Sequence, residues 1–220
     1  MSILWKGLRL NPLLVIFKVR DLPEFDESIE KLNPDIYKLY IEYYPQMEAY
    51  DHARCFFLSH KIYTHFIILP DDLIITQNDI DVLLEDAHHY DVIGGWCNVD
   101  NTDFKDYACI SMSLPPNPPY TGKTAGYKFK TIQSLINQQG IIQVMHQGWA
   151  PCVINREVIK QIPFRSSRGC CMDSTFSLDL HENGIKQYVN LEVRTKHLKI
   201  NDVGGHEILV GKRPQNIRLI

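Results

Sequence analysis

The first hundred residues alternate short apolar runs with amphipathic segments, and few architectures accommodate that order. "LLVIFKV" (13–19) is continuously apolar, as a strand buried on both faces must be. In "RDLPEFDESIEKL" (20–32), Leu22, Phe25, Ile29 and Leu32 recur at helical spacing. "DIYKLYI" (35–41) predicts a second strand, and "QMEAYDHARCFFLSHK" (46–61) a helix with Met47, Tyr50 and Phe57 on one face. "HFIIL" (65–69) is a third strand. "TQNDIDVLLEDAHH" (76–89) is a helix opened by Thr76 as N-cap. "DVIGGWC" (91–97) is a fourth strand. Strands and helices in strict alternation predict an α/β protein with a mostly parallel central sheet and helices on both faces.

The second half is less regular. "ACISMSL" (108–114) predicts a strand, followed by "PPNPPYTGKTAGYK" (115–128), whose Tyr120, Gly122 and Gly126 give it the composition of a mobile lid. "TIQSLINQQG" (131–140) predicts a short helix ended by glycine, and "APCVINREVIKQI" (150–162) a strand turning into a helix. "DSTFSLDLHENG" (173–184) is a helix with a glycine stop, and "IKQYVNLEVRTKHL" (185–198) supplies one or two strands. With no repeat and no linker, residues 1–220 are expected to form one domain.

Composition removes several function classes. A net charge of −3 gives no basic excess for non-specific binding of nucleic acid. No run approaches the roughly 20 apolar residues of a membrane span. The opening "MSILWKGLRLNPLLVIFKVR" is too charged, and its apolar run too short, for a signal peptide. A soluble, cytoplasmic protein is therefore expected. Cys55, Cys97, Cys109, Cys152, Cys170 and Cys171 show no C-x-x-C spacing, which argues for buried free thiols rather than zinc. Neighbouring Cys170 and Cys171 leave a disulfide as the other reading. Neither G-x-x-x-x-G-K-[ST] nor G-x-G-x-x-G is present.

Against this background "HFIILPDDLIIT" (65–76) is unusual, because Asp71 and Asp72 interrupt an otherwise apolar stretch at the end of a strand. Carboxylates in such surroundings cost free energy unless they are paired or bind a cation. Ligands of open parallel sheets bind beyond the carboxyl ends of the strands, and hard carboxylate oxygens there suit Mg²⁺ or Mn²⁺. The other reading is a turn that caps the helix beginning near Thr76.

"FIILPDDLII", then "GWAPCVINREVIKQIPF" (148–164), then "CCMDSTFSLDLHENGIKQYVNLEVRTKH" (170–197) resemble, in this order, the GT-A glycosyltransferases, especially their large inverting family. Asp173, Gly184 and His197 follow one another at close to that family's spacing. Pro70 stands at the first acidic position of the family motif, Asp71 at the middle and Asp72 at the last. "FKVRDLP" replaces the usual P-x-x-N after the first strand.

The resemblance implies a nucleotide-binding half (13–100), an acceptor and catalytic half (101–198) and a C-terminal arm (199–220). It implies a metal-dependent transfer of sugar from a nucleotide-diphosphate donor to a hydroxyl of a glycan, protein or lipid acceptor. Asp72 and His197 would hold Mn²⁺ or Mg²⁺, with His206 as a rival to His197. Asp173 would be the base of an inverting displacement, or simply an N-cap. Donor contacts would come from Lys18, Val19, Arg20, Asp71, Arg54, Trp149 and Lys212, the last together with Arg213. Each has an ordinary alternative: a helix-face salt bridge for Arg54, a core position for Trp149, a solvated tail for Lys212. Two other classes stand beside this one, a non-catalytic binder of sugar nucleotides or glycans and a metal-dependent nucleotidyltransferase.

Overall fold

The computed structural model describes residues 4–5, 8–99, 106–114, 128–166, 171–198 and 207–220. In chain order the strands are β1 (Leu4–Trp5), β2 (Leu8–Arg9), β3 (Pro12–Lys18), β4 (Tyr37–Glu42), β5 (His65–Pro70), β6 (Leu73–Ile74), β7 (Val92–Trp96) and β8 (Tyr107–Ser111). They continue with β9 (Phe129–Thr131), β10 (Ile141–Val144), β11 (His146–Gln147), β12 (Cys152–Asn155), β13 (Gln187–Arg194), β14 (Lys196–His197) and β15 (Asn216–Leu219). The helices are α1 (Pro23–Glu30), α2 (Gln46–Ser59), α3 (Gln77–Asp86), α4 (Ile132–Leu135), α5 (Arg156–Gln161) and α6 (Met172–Glu182).

Eight strands form the central sheet in the order β10-β13-β7-β12-β5-β3-β4-β15. β3 pairs parallel with both β4 and β5, and β13 pairs parallel with β7. β12 enters antiparallel between β5 and β7, while β10 and β15 close the two ends antiparallel. The molecule is thus a mixed α/β fold. β3, β4, β5, β7 and β13 share one direction, but the sheet is less uniformly parallel than the sequence pattern suggests. The reason is local: β12, β10 and β15 are each short or flanked by loops, and none returns through a crossover helix.

Alternation along β3 divides the core. Leu14 and Ile16 pack with Phe25 and Ile29 of α1 and Ile80, Leu83 of α3. Leu13, Val15 and Phe17 pack on the other face with Ala53 and Phe57 of α2, Ile159 of α5 and Phe176 of α6. Successive side chains of a strand point to opposite faces, so a strand buried on both must be apolar throughout. Helix α3 begins with a reciprocal capping box between Thr76 and Asp79. The paired glycines of β7 are required by close packing: a Cβ on Gly95 would lie 2.7 Å from the Val193 carbonyl oxygen and 2.8 Å from that of Ala150.

Among the described residues, no helix is long and apolar enough to cross a membrane. Cys97, Cys109 and Cys152 are buried free thiols as expected, whereas Cys55 and Cys171 are exposed. Cys170 and most of the 115–128 segment lie outside the described residues. Helix α4 covers only the first part of the predicted 131–140 helix, and β10 follows its glycine.

Candidate functional site

Strands β3, β4 and β5 end in register, with Phe17 opposite Pro70 and Lys18 opposite Glu42. The residues that follow therefore open into one cleft of ≈ 800 Å³. Val19, Arg20, Asp71, Asp72, Trp149, Asp173 and His197 all line it.

Asp71 is buried at 2% exposure and faces the start of the next connection rather than open space. Its Oδ2 accepts the backbone N–H of Val19 at 2.7 Å and that of Arg20 at 2.7 Å. Its Oδ1 accepts from the Arg20 guanidinium at 2.6 Å. Burial pushes its pKa up to about 6, against the pull of Arg20 and the Val19 amide. Asp71 fastens the end of β3 to the end of β5, so its reach to a ligand runs through Val19 and Arg20.

Asp72 shares Arg20 with Asp71 and is the more exposed of the two. Its Oδ2 lies 3.3 Å from Arg20 Nη1 and 3.6 Å from His197 Nε2. Burial, the largest influence on this carboxyl, would raise its pKa, but the hydrogen bond and charge of His197, with Arg20, outweigh it and hold it below its ordinary value. His197 reaches this corner because β14 pairs antiparallel with β6, setting His197 opposite Leu73, while the Leu198 N–H donates to the Asp72 carbonyl at 2.7 Å. His197 Nδ1 lies 2.9 Å from the Asn98 carbonyl oxygen, which can only accept, so Nδ1 carries one proton, and in the charged ring that pairs with Asp72 the second is on Nε2.

A carboxylate oxygen and an imidazole nitrogen whose other nitrogen is anchored to a carbonyl are a fitting donor pair for Mn²⁺ or Mg²⁺, with substrate oxygens completing the shell. Among the described residues, no group of three or more His, Cys, Asp or Glu is arranged to hold a metal ion.

Asp173 stands in the first turn of α6. Its Oδ1 accepts from the Ser174 N–H at 2.7 Å and from the Cys171 thiol at 2.7 Å. Burial, and then the Asp173 charge, push the Cys171 thiol up to about 12, which keeps it a donor. Oδ2 is directed at Gly148, where a Cβ would come within 3.5 Å. Asp173 does not act as N-cap: Cys171 occupies that position.

The floor is aromatic. Phe17 stacks on Tyr50 with ring centroids 3.8 Å apart, and Tyr50 stacks on Trp149 at 5.0 Å. Trp149 is also wedged against Phe164 and Phe176, and its backbone is held at φ 20°. It belongs to the core and presents only part of its surface to the cleft. The Tyr50 hydroxyl is pushed well above its usual pKa by burial first, then by the charges of Asp173, Asp72 and Asp71.

Three expected donor contacts lie elsewhere. Lys18 turns its ammonium away to Asp26 at 2.6 Å. Arg54 donates to the carbonyls of Ile159 and Lys160, at 3.0 Å each, and so closes the end of α5. Lys212 pairs with Glu207. The arm that carries Lys212 does fold back: the Leu209 N–H donates to the Val19 carbonyl at 2.8 Å, and Ile208 and Val210 join the cleft wall. Arg213 meets Asp21 at 3.2 Å. His206 lies outside the described residues. Sequence reasoning missed Asn98, which acts through its backbone carbonyl, and His146, whose neighbours carry no motif.

No family model and no curated protein matches this chain. Among solved structures, the crystal structure of A197 from STIV matches with a TM-score of 0.56, covering 82% of this chain and 81% of that chain at 14% identity. At that identity the likeness concerns the fold alone.

Proposed function

We propose that this chain is a GT-A-type glycosyltransferase that binds a nucleotide-diphosphate sugar with Mn²⁺ or Mg²⁺ and passes the sugar to a hydroxyl with inversion. The observation that carries this reading is one cleft, at the carboxyl ends of β3, β4 and β5, holding the Asp72–His197 pair and Asp173 together. Asp72 and His197 would hold the metal, which would neutralise charge gathering on the departing diphosphate. Val19 and Arg20, held rigidly by Asp71, border the nucleotide, and Arg20 adds a cation near the phosphates. Asp173 accepts the proton of the acceptor hydroxyl while that oxygen attacks the anomeric carbon opposite the leaving group. The anomeric carbon–oxygen bond breaks and nucleoside diphosphate leaves.

A thermal-shift screen of UDP-, GDP- and other nucleotide sugars, each with and without Mn²⁺, tests the donor half. The expected result is stabilisation by at least one donor that grows with metal. No metal-dependent shift from any donor would sink the reading. Release of intact nucleoside diphosphate supports sugar transfer, release of pyrophosphate supports nucleotidyl transfer, and binding without either product supports a non-catalytic binder.

A further inference from the structure

Strand β15 closes one end of the central sheet, and among the described residues no strand pairs with its outer edge. Ile220 exchanges both backbone hydrogen bonds with Lys38, each at 2.9 Å. Such exchange alternates along an antiparallel ladder, so Arg218 and Asn216 also turn their N–H and C=O groups to β4. Ile217 and Leu219 therefore direct theirs outward, a template for a further strand. Four of the nine exposed large apolar side chains among the described residues, Tyr37, Ile217, Leu219 and Ile220, gather at this corner. Strand β10, at the opposite end of the sheet, contributes none of them. Ile217 and Leu219 stand opposite Ile41 and Leu39, which places them on the face of the sheet that α2 covers.

Sheet edges are commonly blunted by a charge, but the single charge of β15 is already neutralised within its own chain. Arg218 sits 3.8 Å over the Tyr40 ring and reaches both carboxylate oxygens of Glu42 at 3.2 Å. Asn216 donates to the same carboxylate at 2.8 Å.

We infer that β15 is a homodimer interface, pairing antiparallel with the same strand of a second copy so that two sheets become one. Two identical strands paired antiparallel are related by a two-fold axis, which makes this edge self-complementary. Charge selects the register. With the axis at Arg218, two guanidinium groups would face each other, and like charges directly opposite destabilise a strand pair. With the axis at Ile217, Arg218 faces the partner's Asn216 and, behind it, the partner's Glu42. The two Ile217 side chains then meet at the centre, and the outward groups of Ile217 bond to those of the partner's Ile217. Because the copies run antiparallel, their clefts open at opposite edges of the joined sheet.

Sedimentation equilibrium of the whole chain across a dilution series tests this pairing. The expected result is a reversible dimer of twice 25.5 kDa, with hydrogen exchange at the Ile217 and Leu219 amides slowing as the dimer forms. Ile217→Lys sets two ammonium groups on the axis and should raise the dimer Kd about tenfold or more. Leu219→Pro removes one outward N–H and no bond to β4, so it should weaken the dimer too. Thermal melting of each diluted variant shows that it still folds. A chain that stays monomeric at every concentration, its edge left to a strand of some other protein, overturns the inference. So does a dimer that Ile217→Lys leaves intact, or one whose formation protects neither amide.

Discussion

At the scale of single residues, two adjacent aspartates have opposite duties. Asp71 is a structural clasp with three hydrogen bonds to the first connection, and Asp72 is the more exposed of the two and meets His197. Asp71→Ala should cost about 3 kcal/mol in urea unfolding, because it strips a buried ion pair and leaves two amides unsatisfied. Asp173→Asn should stay within about 1 kcal/mol, since the amide oxygen still accepts from Ser174. Asp72→Asn and His197→Ala should each weaken Mn²⁺-dependent stabilisation by nucleotide by about a hundredfold in apparent affinity, with little loss of stability without metal. The acidic pair was legible in the sequence because carboxylates in an apolar run demand a partner. Which carboxylate clasps the first connection and which meets His197 was not, because that depends on the Val19 and Arg20 amides arriving from a distant strand.

Among the elements, the first half was nearly transparent. β3, β4, β5 and β7 each lie within two residues of the apolar run that predicted them, Thr76 caps α3 as its position suggested, and the two-residue β6 had no run of its own. The paired glycines of β7 read as an ordinary strand and only the packed structure shows what approaches them. His65, at the start of β5, is buried with Nδ1 3.0 Å from Thr64 Oγ1 and no partner for Nε2 among the described residues. Burial, then His88, lowers its pKa to about 4 from 6.5. The unfolded chain therefore binds the extra proton first on acidification. The stability it contributes is complete above pH 6.5 and falls as pH drops toward 4, by about 3 kcal/mol in all. Urea titrations across this window should show that slope, and His65→Leu should flatten it by about one proton.

On the scale of the whole molecule, the sheet closes with a strand that no pattern announced. β15 lies antiparallel on β4, Arg218 pairs with Glu42 and sits 3.8 Å over the Tyr40 ring, and the preceding turn lays Ile208 and Val210 against the cleft. Deleting 207–220 should lower the melting temperature by roughly 10 °C and weaken donor binding about tenfold, read by calorimetry and titration. The α/β order and the acidic corner were written in the sequence, since local period and the cost of burying charge act over a few residues. The antiparallel entry of β12 between β5 and β7 and the delivery of His197 to Asp72 by the short β6–β14 pair were decided only in three dimensions. Each depends on backbone carbonyls and amides brought together from far apart in the chain, and every residue but proline carries both groups, so local pattern does not mark which ones will meet.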